Sequence, residues 1–249
     1  MKRFVIRRIW LPALLLGSAC ASAGPNFAAM TPEQMFEYAE AEYQAHKWSN
    51  AATGFERFVL TYPTHPRAQE ARFKLADSYF GKKEYITAAS EFARLSTEYP
   101  AGPYADDARF KVCESYDRLS PKPPLDQQYT RAAIEHCQSL ETYYPNSDYV
   151  PQAREIMEKL TNRLGEKAYE GGEFYFKRKA WDSAIVYYER ALREYPTTVW
   201  APRALLRLYQ TYTIIGYEEE AAAAKAKLIA EYPASPEAKT VQNATVAPA

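Results

Sequence analysis

Five Tyr-Pro pairs punctuate this chain: Tyr62-Pro63, Tyr99-Pro100, Tyr144-Pro145, Tyr195-Pro196 and Tyr232-Pro233. Fourteen residues before the first, second and fourth of these tyrosines stand Trp48, Tyr85 and Trp181, and three residues after each of those stands Ala51, Ala88 or Ala184. The other two units carry Tyr129 with Ala132 or Ala133, and Tyr217 with Ala221, shifted by at most about one residue. Two of the Tyr-Pro intervals are 37 residues. Self-similarity at this period is the signature of stacked helical hairpins, each too small to bury its own apolar face.

One unit shows why. Met35, Tyr38, Ala39 and Tyr43 recur at spacings of three and four, the period of one helix face. His46 to Asn50 interrupt that pattern as a turn. Ala51, Ala52, Phe55, Phe58, Val59 and Tyr62 then mark a second amphipathic helix, which Pro63 stops because its ring clashes with a continuing turn. Two helices with one apolar stripe each form an antiparallel hairpin. The nine residues from Ala71 to Tyr79 reappear from Ala108 to Tyr116, with six identical. Ala39, Ala76, Cys113 and Gly172 occupy equivalent positions, where a small side chain lets the first helix approach the second.

The Tyr-Pro intervals run 37, 45, 51 and 37. The first excess is the proline-rich stretch Ser120 to Asp126, expected to splay the third hairpin. The second runs from Pro151 to Gly165, where Ala153, Ile156, Met157, Leu160 and Leu164 keep helical spacing. One long helix is therefore expected over about residues 151–177, joining units one to three to units four and five as a strut.

The start of the chain bears on its compartment. Lys2, Arg3, Arg7 and Arg8 precede a short apolar stretch, Ile9 to Leu16, and then Gly17-Ser18-Ala19-Cys20. That is a secretory signal, too short to span a membrane. A cysteine after small residues here is similar to a bacterial lipobox, which would make Cys20 the lipidated first residue of the mature chain; Ala21-Ser22-Ala23 offers ordinary cleavage instead. Removal of the signal lowers the basic residues from 31 to 27 against 31 acidic ones, a net charge near −4. No dense basic motif is present to track phosphates, so nucleic acid is not an expected partner. Cys113 and Cys137 remain on the two helices of the third unit at inward positions; they read as buried thiols, with a disulfide as the alternative. His46, His65 and His136 are isolated and no metal-ligand spacing occurs, so neither metal nor cofactor is expected. Carboxylates fall on helix exteriors and no Gly-rich phosphate loop is present; no catalytic constellation emerges.

These repeats resemble the tetratricopeptide repeat over about residues 31–238, on Tyr38-Ala39, Leu75 to Tyr79, Gly172 to Tyr175, the turn aromatics and the closing prolines. The resemblance implies an all-α fold of five hairpins in a right-handed superhelical solenoid. The expected organisation is a signal peptide over 1–19, a linker over 20–30, repeats one to three over 31–150, the long helix with repeats four and five over 151–238, and a flexible tail over 239–249.

A narrower resemblance rests on Asp126 to Ala133, Leu140, Tyr144 to Tyr149, Leu160, Arg163-Leu164, Glu173 to Tyr175, Ala180-Trp181 and Tyr195 to Thr198. Over these the chain is similar to the BamD family, the lipoprotein component of the outer-membrane β-barrel assembly machine of Gram-negative bacteria. That implies a lipid-anchored outer-membrane protein facing the periplasm. Its implied partners are BamA periplasmic domains, other lipoproteins of the machine, and unfolded outer-membrane proteins. The loop Tyr99 to Tyr104, familiar in the family after the first repeat, stands here after the second. On the concave face of repeats one and two, Tyr38, Glu42, Lys74 and Tyr79 are candidates for holding an extended client carrying aromatic anchors. On repeats four and five, Arg190, Arg193, Arg203 and Arg207 are candidates for docking the partner; Arg131 and Arg154, on the middle repeats, are expected bystanders. The alternative is a periplasmic repeat protein coordinating envelope or cell-division machinery of the Tol-Pal type. Such proteins typically use three regular repeats and no long central helix.

Overall fold

A computed structural model describes residues 25–243; Cys20, the signal segment and the end of the tail lie outside the described residues. A short 3-10 turn at Phe27–Ala29 leads into eleven α-helices: α1 (Pro32–Gln44), α2 (Trp48–Thr61), α3 (Ala68–Gly81), α4 (Tyr85–Glu98), α5 (Ala105–Leu119), α6 (Gln128–Tyr143), α7 (Val150–Phe176), α8 (Trp181–Glu194), α9 (Trp200–Ile215), α10 (Glu218–Glu231) and α11 (Pro236–Asn243). Among the described residues there is no strand. Each helix packs chiefly on the next one in the chain, so α1/α2, α3/α4, α5/α6, α7/α8 and α9/α10 form five stacked hairpins. First helices also touch across repeats (α1 with α3, α5 with α7, α7 with α9), whereas second helices do not approach one another to this extent. The more closely spaced helices lie on the inner side of a curved stack, so the first helices form the inner face.

The five tyrosines of the Tyr-Pro pairs are the C-caps of the five second helices, with φ between −127° and −135° and ψ between 49° and 65°. A residue before proline is pushed out of the α region, which ends the helix there. Each tyrosine carbonyl accepts a bond from the amide three residues on (His65, Gly102, Ser147, Thr198, Ser235) at 2.9–3.3 Å, a β-turn with proline at its second position. The tyrosine hydroxyls reach backwards: Tyr144 donates to the Pro100 carbonyl at 3.0 Å and Tyr232 to the Pro196 carbonyl at 2.8 Å. The corners thus also fasten consecutive repeats.

The turns inside hairpins one, two, four and five share another device. His46, Lys83, Lys179 and Gly216 sit at φ 55°, 65°, 58° and 80°. The next amide bonds back to the helix five residues earlier (Lys47 to Glu42, Glu84 to Tyr79, Ala180 to Tyr175, Tyr217 to Tyr212). This left-handed cap costs a non-glycine residue about 1–2 kcal/mol. Lys179 is exposed. Lys179→Gly is therefore expected to stabilise the chain by about 0.5–1 kcal/mol, after the entropy cost of glycine in the unfolded chain is subtracted. A urea midpoint equal to or below wild type would refute that.

The expected small-residue positions are the tight points of the hairpins. Ala39, Ala76 and Cys113 are fully buried. A methyl group on Gly172 would overlap the Tyr188 ring, and one on Gly54 would meet Ala39 Cβ at 2.7 Å. The third hairpin corrects two expectations. Cys113 and Cys137 are not free thiols but a disulfide, with their Cα atoms 4.9 Å apart. The proline-rich insertion does not splay the hairpin either. Its backbone is gathered around Gln127, whose side chain is 1% exposed and whose amide nitrogen donates to the carbonyls of Lys122, Pro123 and Leu125 at 2.8, 3.3 and 3.0 Å. Thr130 donates in turn to the Gln127 oxygen at 2.6 Å.

Helix α7 has 27 residues, about 40 Å at 1.5 Å per residue, and matches the long helix read from the sequence within a residue at either end. Its first half packs Ala153, Ile156 and Met157 on the third hairpin, and its second half packs Ala168 on the fourth. The chain beyond 238 is not wholly a tail: α11 buries Ala238 and Val241 against Leu205 and Leu228. Lys239, Thr240, Gln242 and Asn243 of the same helix are exposed, so its outer face is polar.

The disulfide closes a loop with a sequence separation of 24. Chain-entropy reasoning gives it about 3 kcal/mol of stability. Reductant in the urea titration should lower the unfolding free energy by about that amount, and coincident curves with and without reductant would contradict it.

Candidate functional site

The inner face is laced by ion pairs between consecutive first helices. Lys74 on α3 meets Glu40 on α1 at 2.5 Å and Glu70 on its own helix at 3.0 Å. Lys111 on α5 meets Asp77 on α3 at 3.6 Å and Glu114 at 3.1 Å. Arg207 on α9 meets Glu173 on α7 at 2.6 Å. Each inter-helix pair joins residues 34 apart, one repeat less about one turn. Burial works against the charge of Lys74 and of Lys111, but their carboxylate neighbours outweigh it and hold both ammonium groups above their ordinary pKa. Tyr43 donates to Asp77 at 2.5 Å, and burial together with that carboxylate pushes its hydroxyl pKa up.

The four residues expected to hold a client are placed differently from one another. Lys74 belongs to this ladder. Tyr38 stands edge-on to Phe27 with ring centroids 5.6 Å apart. Glu42 braces the first hairpin turn, accepting from Lys47 at 3.1 Å and Asn50 at 2.5 Å. Tyr79 packs against the apolar clusters of both the first and the second hairpin, with the Lys82 ammonium 5.1 Å from its ring. Glu40 on α1 pairs with Lys74, and Tyr43 and Lys111 both meet Asp77 on the same inner face. The spacing of 34 between opposite charges was the sequence signal for them.

The four arginines divide into two groups. Arg190 and Arg193 lie exposed on α8, where both pair with Glu194, at 3.1 and 3.5 Å. Arg203 and Arg207 lie on α9. Arg203 rests over the Trp200 ring at 4.6 Å and reaches Glu237 at 3.5 Å. Arg207 is half-buried in a network: the Glu173 carboxylate accepts from it and, at 2.7 Å, from the Tyr188 hydroxyl. Burial disfavours the Arg207 charge, but Tyr169 and Glu173 more than compensate and raise its pKa. Burial and Glu173 likewise push the Tyr188 hydroxyl pKa upward.

Beside Arg190 opens a cleft of about 500 Å³ between hairpins three and four. The insertion supplies Pro124, α6 supplies Arg131, and α7 supplies Leu164, Lys167, Ala168 and Phe174. Tyr187 and Tyr195 complete the wall around Arg190. Arg131, expected to be a bystander, thus shares a concavity with Arg190, because the insertion returns α6 against the middle of α7. Only proximity in three dimensions reveals that pairing. Among the described residues, no group of three or more His, Cys, Asp or Glu could hold a metal ion, and no helix is long and apolar enough to cross a membrane.

A curved stack of hairpins with charged and aromatic concavities defines a helical-repeat protein. The model of the YfiO family, described as an outer membrane lipoprotein, matches residues 28–228, and the chain belongs to that family. Two curated relatives are similar in sequence, both outer membrane protein assembly factor BamD. The one from Caulobacter vibrioides is 31% identical over 96 residues, 39% of this chain and 32% of that one. The one from Vibrio cholerae is 33% identical over 91 residues, 36% of this chain and 38% of that one. The matched stretch thus spans well under half the length of these relatives. A looser likeness is to the TPR2AB domain of yeast Sti1, with 18% identity and a TM-score of 0.43 over 86% of this chain and 84% of that one.

The two arginine groups should behave differently. Truncating Arg207 strips Glu173 of its cation at a half-buried position, where uncompensated charge is costly. Arg207→Ala is expected to destabilise by about 1–3 kcal/mol. Arg193→Ala, on a solvated face, should stay within about 0.5 kcal/mol of wild type. Equal melting temperatures for the two variants would show that the network is not structural.

Proposed function

We propose that this protein is a non-catalytic scaffold of the outer-membrane β-barrel assembly machine, anchored through acylated Cys20 and facing the periplasm. Its C-terminal repeats dock a periplasmic domain of BamA, and its N-terminal repeats receive unfolded outer-membrane proteins. The single observation that carries this reading is the family match over residues 28–228, which takes in four whole hairpins and most of the fifth. The relatives named as assembly factors support the machine. The inner-face ladder supports an extended client, whose charged groups would exchange partners with Glu40, Lys74, Asp77 and Lys111.

The exposed pair Arg190 and Arg193 on α8 is the proposed rim of the BamA contact, with Arg203 on α9 beside it. Rim charges act mainly on association rate and salt dependence. Arg190→Glu combined with Arg193→Glu should reduce co-purification of BamA from solubilised membranes several-fold while leaving helical content and melting unchanged. Arg154→Glu, which breaks only a surface pair with Glu141, is the control. Wild-type BamA affinity of the double variant at low salt would remove α8 from the contact.

A further inference from the structure

We propose that the cleft between hairpins three and four is a binding site for an extended acidic peptide segment that carries aromatic side chains. The inference shares Arg190 with the proposed BamA rim and otherwise stands on the geometry of this cleft alone.

Its first support is charge. Arg131, Lys167 and Arg190 line one concavity of about 500 Å³, against the single carboxylate of Glu170. Arg190 is neutralised by Glu194, and Lys167 is held by the Leu125 carbonyl at 2.5 Å. Arg131 is exposed and forms no ion pair with any described residue. A planar guanidinium open to the cleft is the group that takes a carboxylate in two parallel bonds.

The second support is apolar. Phe174 is 50% exposed at the cleft although it is a large aromatic, and Tyr187 lines the same cleft. Gly171 lies against the Tyr187 ring so closely that a Cβ there would collide with it. The absence of a side chain at Gly171 thus keeps Tyr187 seated as a wall. Aromatic walls with a few fixed cations are the composition of peptide-binding pockets.

The third support is that the site is rigid. The Pro124 wall is part of the insertion gathered by buried Gln127, and Arg163 from α7 fixes its start by donating to Ser120 Oγ at 2.7 Å. A wall held by these two anchors is preformed, so a ligand does not have to order it.

The test uses the chain lacking its signal segment and acyl group, with fluorescein-labelled Asp-Phe-Asp-Phe-Asp-Phe as probe and Lys-Phe-Lys-Phe-Lys-Phe as its charge-reversed control. Fluorescence polarisation should show saturable binding of the acidic probe, weakened by added salt, and at least tenfold weaker binding of the basic one. Arg131→Glu and Tyr187→Ala should each weaken the acidic probe about tenfold or more, with circular dichroism and melting as checks on folding. Arg154→Glu should leave it unchanged. Equal affinity for the two probes, or wild-type affinity in a folded Arg131→Glu variant, would overturn the proposal. So would phosphatidylglycerol vesicles binding through Arg131 while the peptide does not, which would make the cleft a lipid-headgroup site. BamA capture is read separately, so loss of one activity with retention of the other tells which assignment fails.

Discussion

The array depends on how closely the two helices of each hairpin can approach. At one position of the first helix, hairpins one to four carry a small side chain, and in hairpins one, two and four the second helix presents an aromatic ring to it. In hairpins one and two, Ala39 and Ala76 share a buried cluster with Phe55 and Phe92. In hairpin four the ring of Tyr188 lies directly on Gly172. In hairpin three both partners are replaced by cysteines, and a covalent bond holds the helices where a ring elsewhere fills the gap. Dense packing leaves no slack at such a point, so an added methylene forces the helices apart. The disulfide also fits the hairpin with the longest internal connection, where the left-handed cap of the other turns is replaced by the insertion.

Between hairpins, polar groups do part of the joining. The pairs Glu40–Lys74, Asp77–Lys111 and Glu173–Arg207 repeat with the architecture, and at two corners Tyr144 and Tyr232 reach the carbonyls of Pro100 and Pro196. Exposed pairs of this kind contribute little each. Those on the inner face are partly shielded, and they leave the surface chemically satisfied yet exchangeable. Such a face can take an extended chain without exposing a large apolar patch when empty.

The repeat is broken at one junction. A strictly regular stack offers the same groove at every step. Here the insertion and the long α7 line a cleft between hairpin three and hairpin four. Helix α11 packs on the last hairpin and presents a polar outer face. A scaffold of the outer-membrane lipoprotein family built this way separates a regular inner surface from a specialised junction.

Much of the architecture was legible in the residues themselves. The Tyr-Pro pairs fix the ends of α2, α4, α6, α8 and α10, because proline both stops a helix and restricts the residue before it. The unbroken spacing of Ala153, Ile156, Leu160 and Leu164 fixed the length of α7, since amphipathic period is a local property. The small-residue positions followed from internal alignment. The candidate site was far less legible. Glu42, Lys74 and Tyr79 lie within one repeat length of one another, yet they brace a turn, an ion ladder and a core. Which way a half-polar side chain points depends on the neighbour packed over it, and periodicity does not encode that neighbour. Arg131 and Arg190 are 59 residues apart in the chain and face each other only because the insertion, gathered by Gln127, brings α6 back onto α7. The sequence by itself determined where helices start, stop and bury a stripe, which are local steric and hydrophobic facts. The tertiary structure alone decided which charges meet and where a cleft remains open, because those depend on how separate repeats are set against one another.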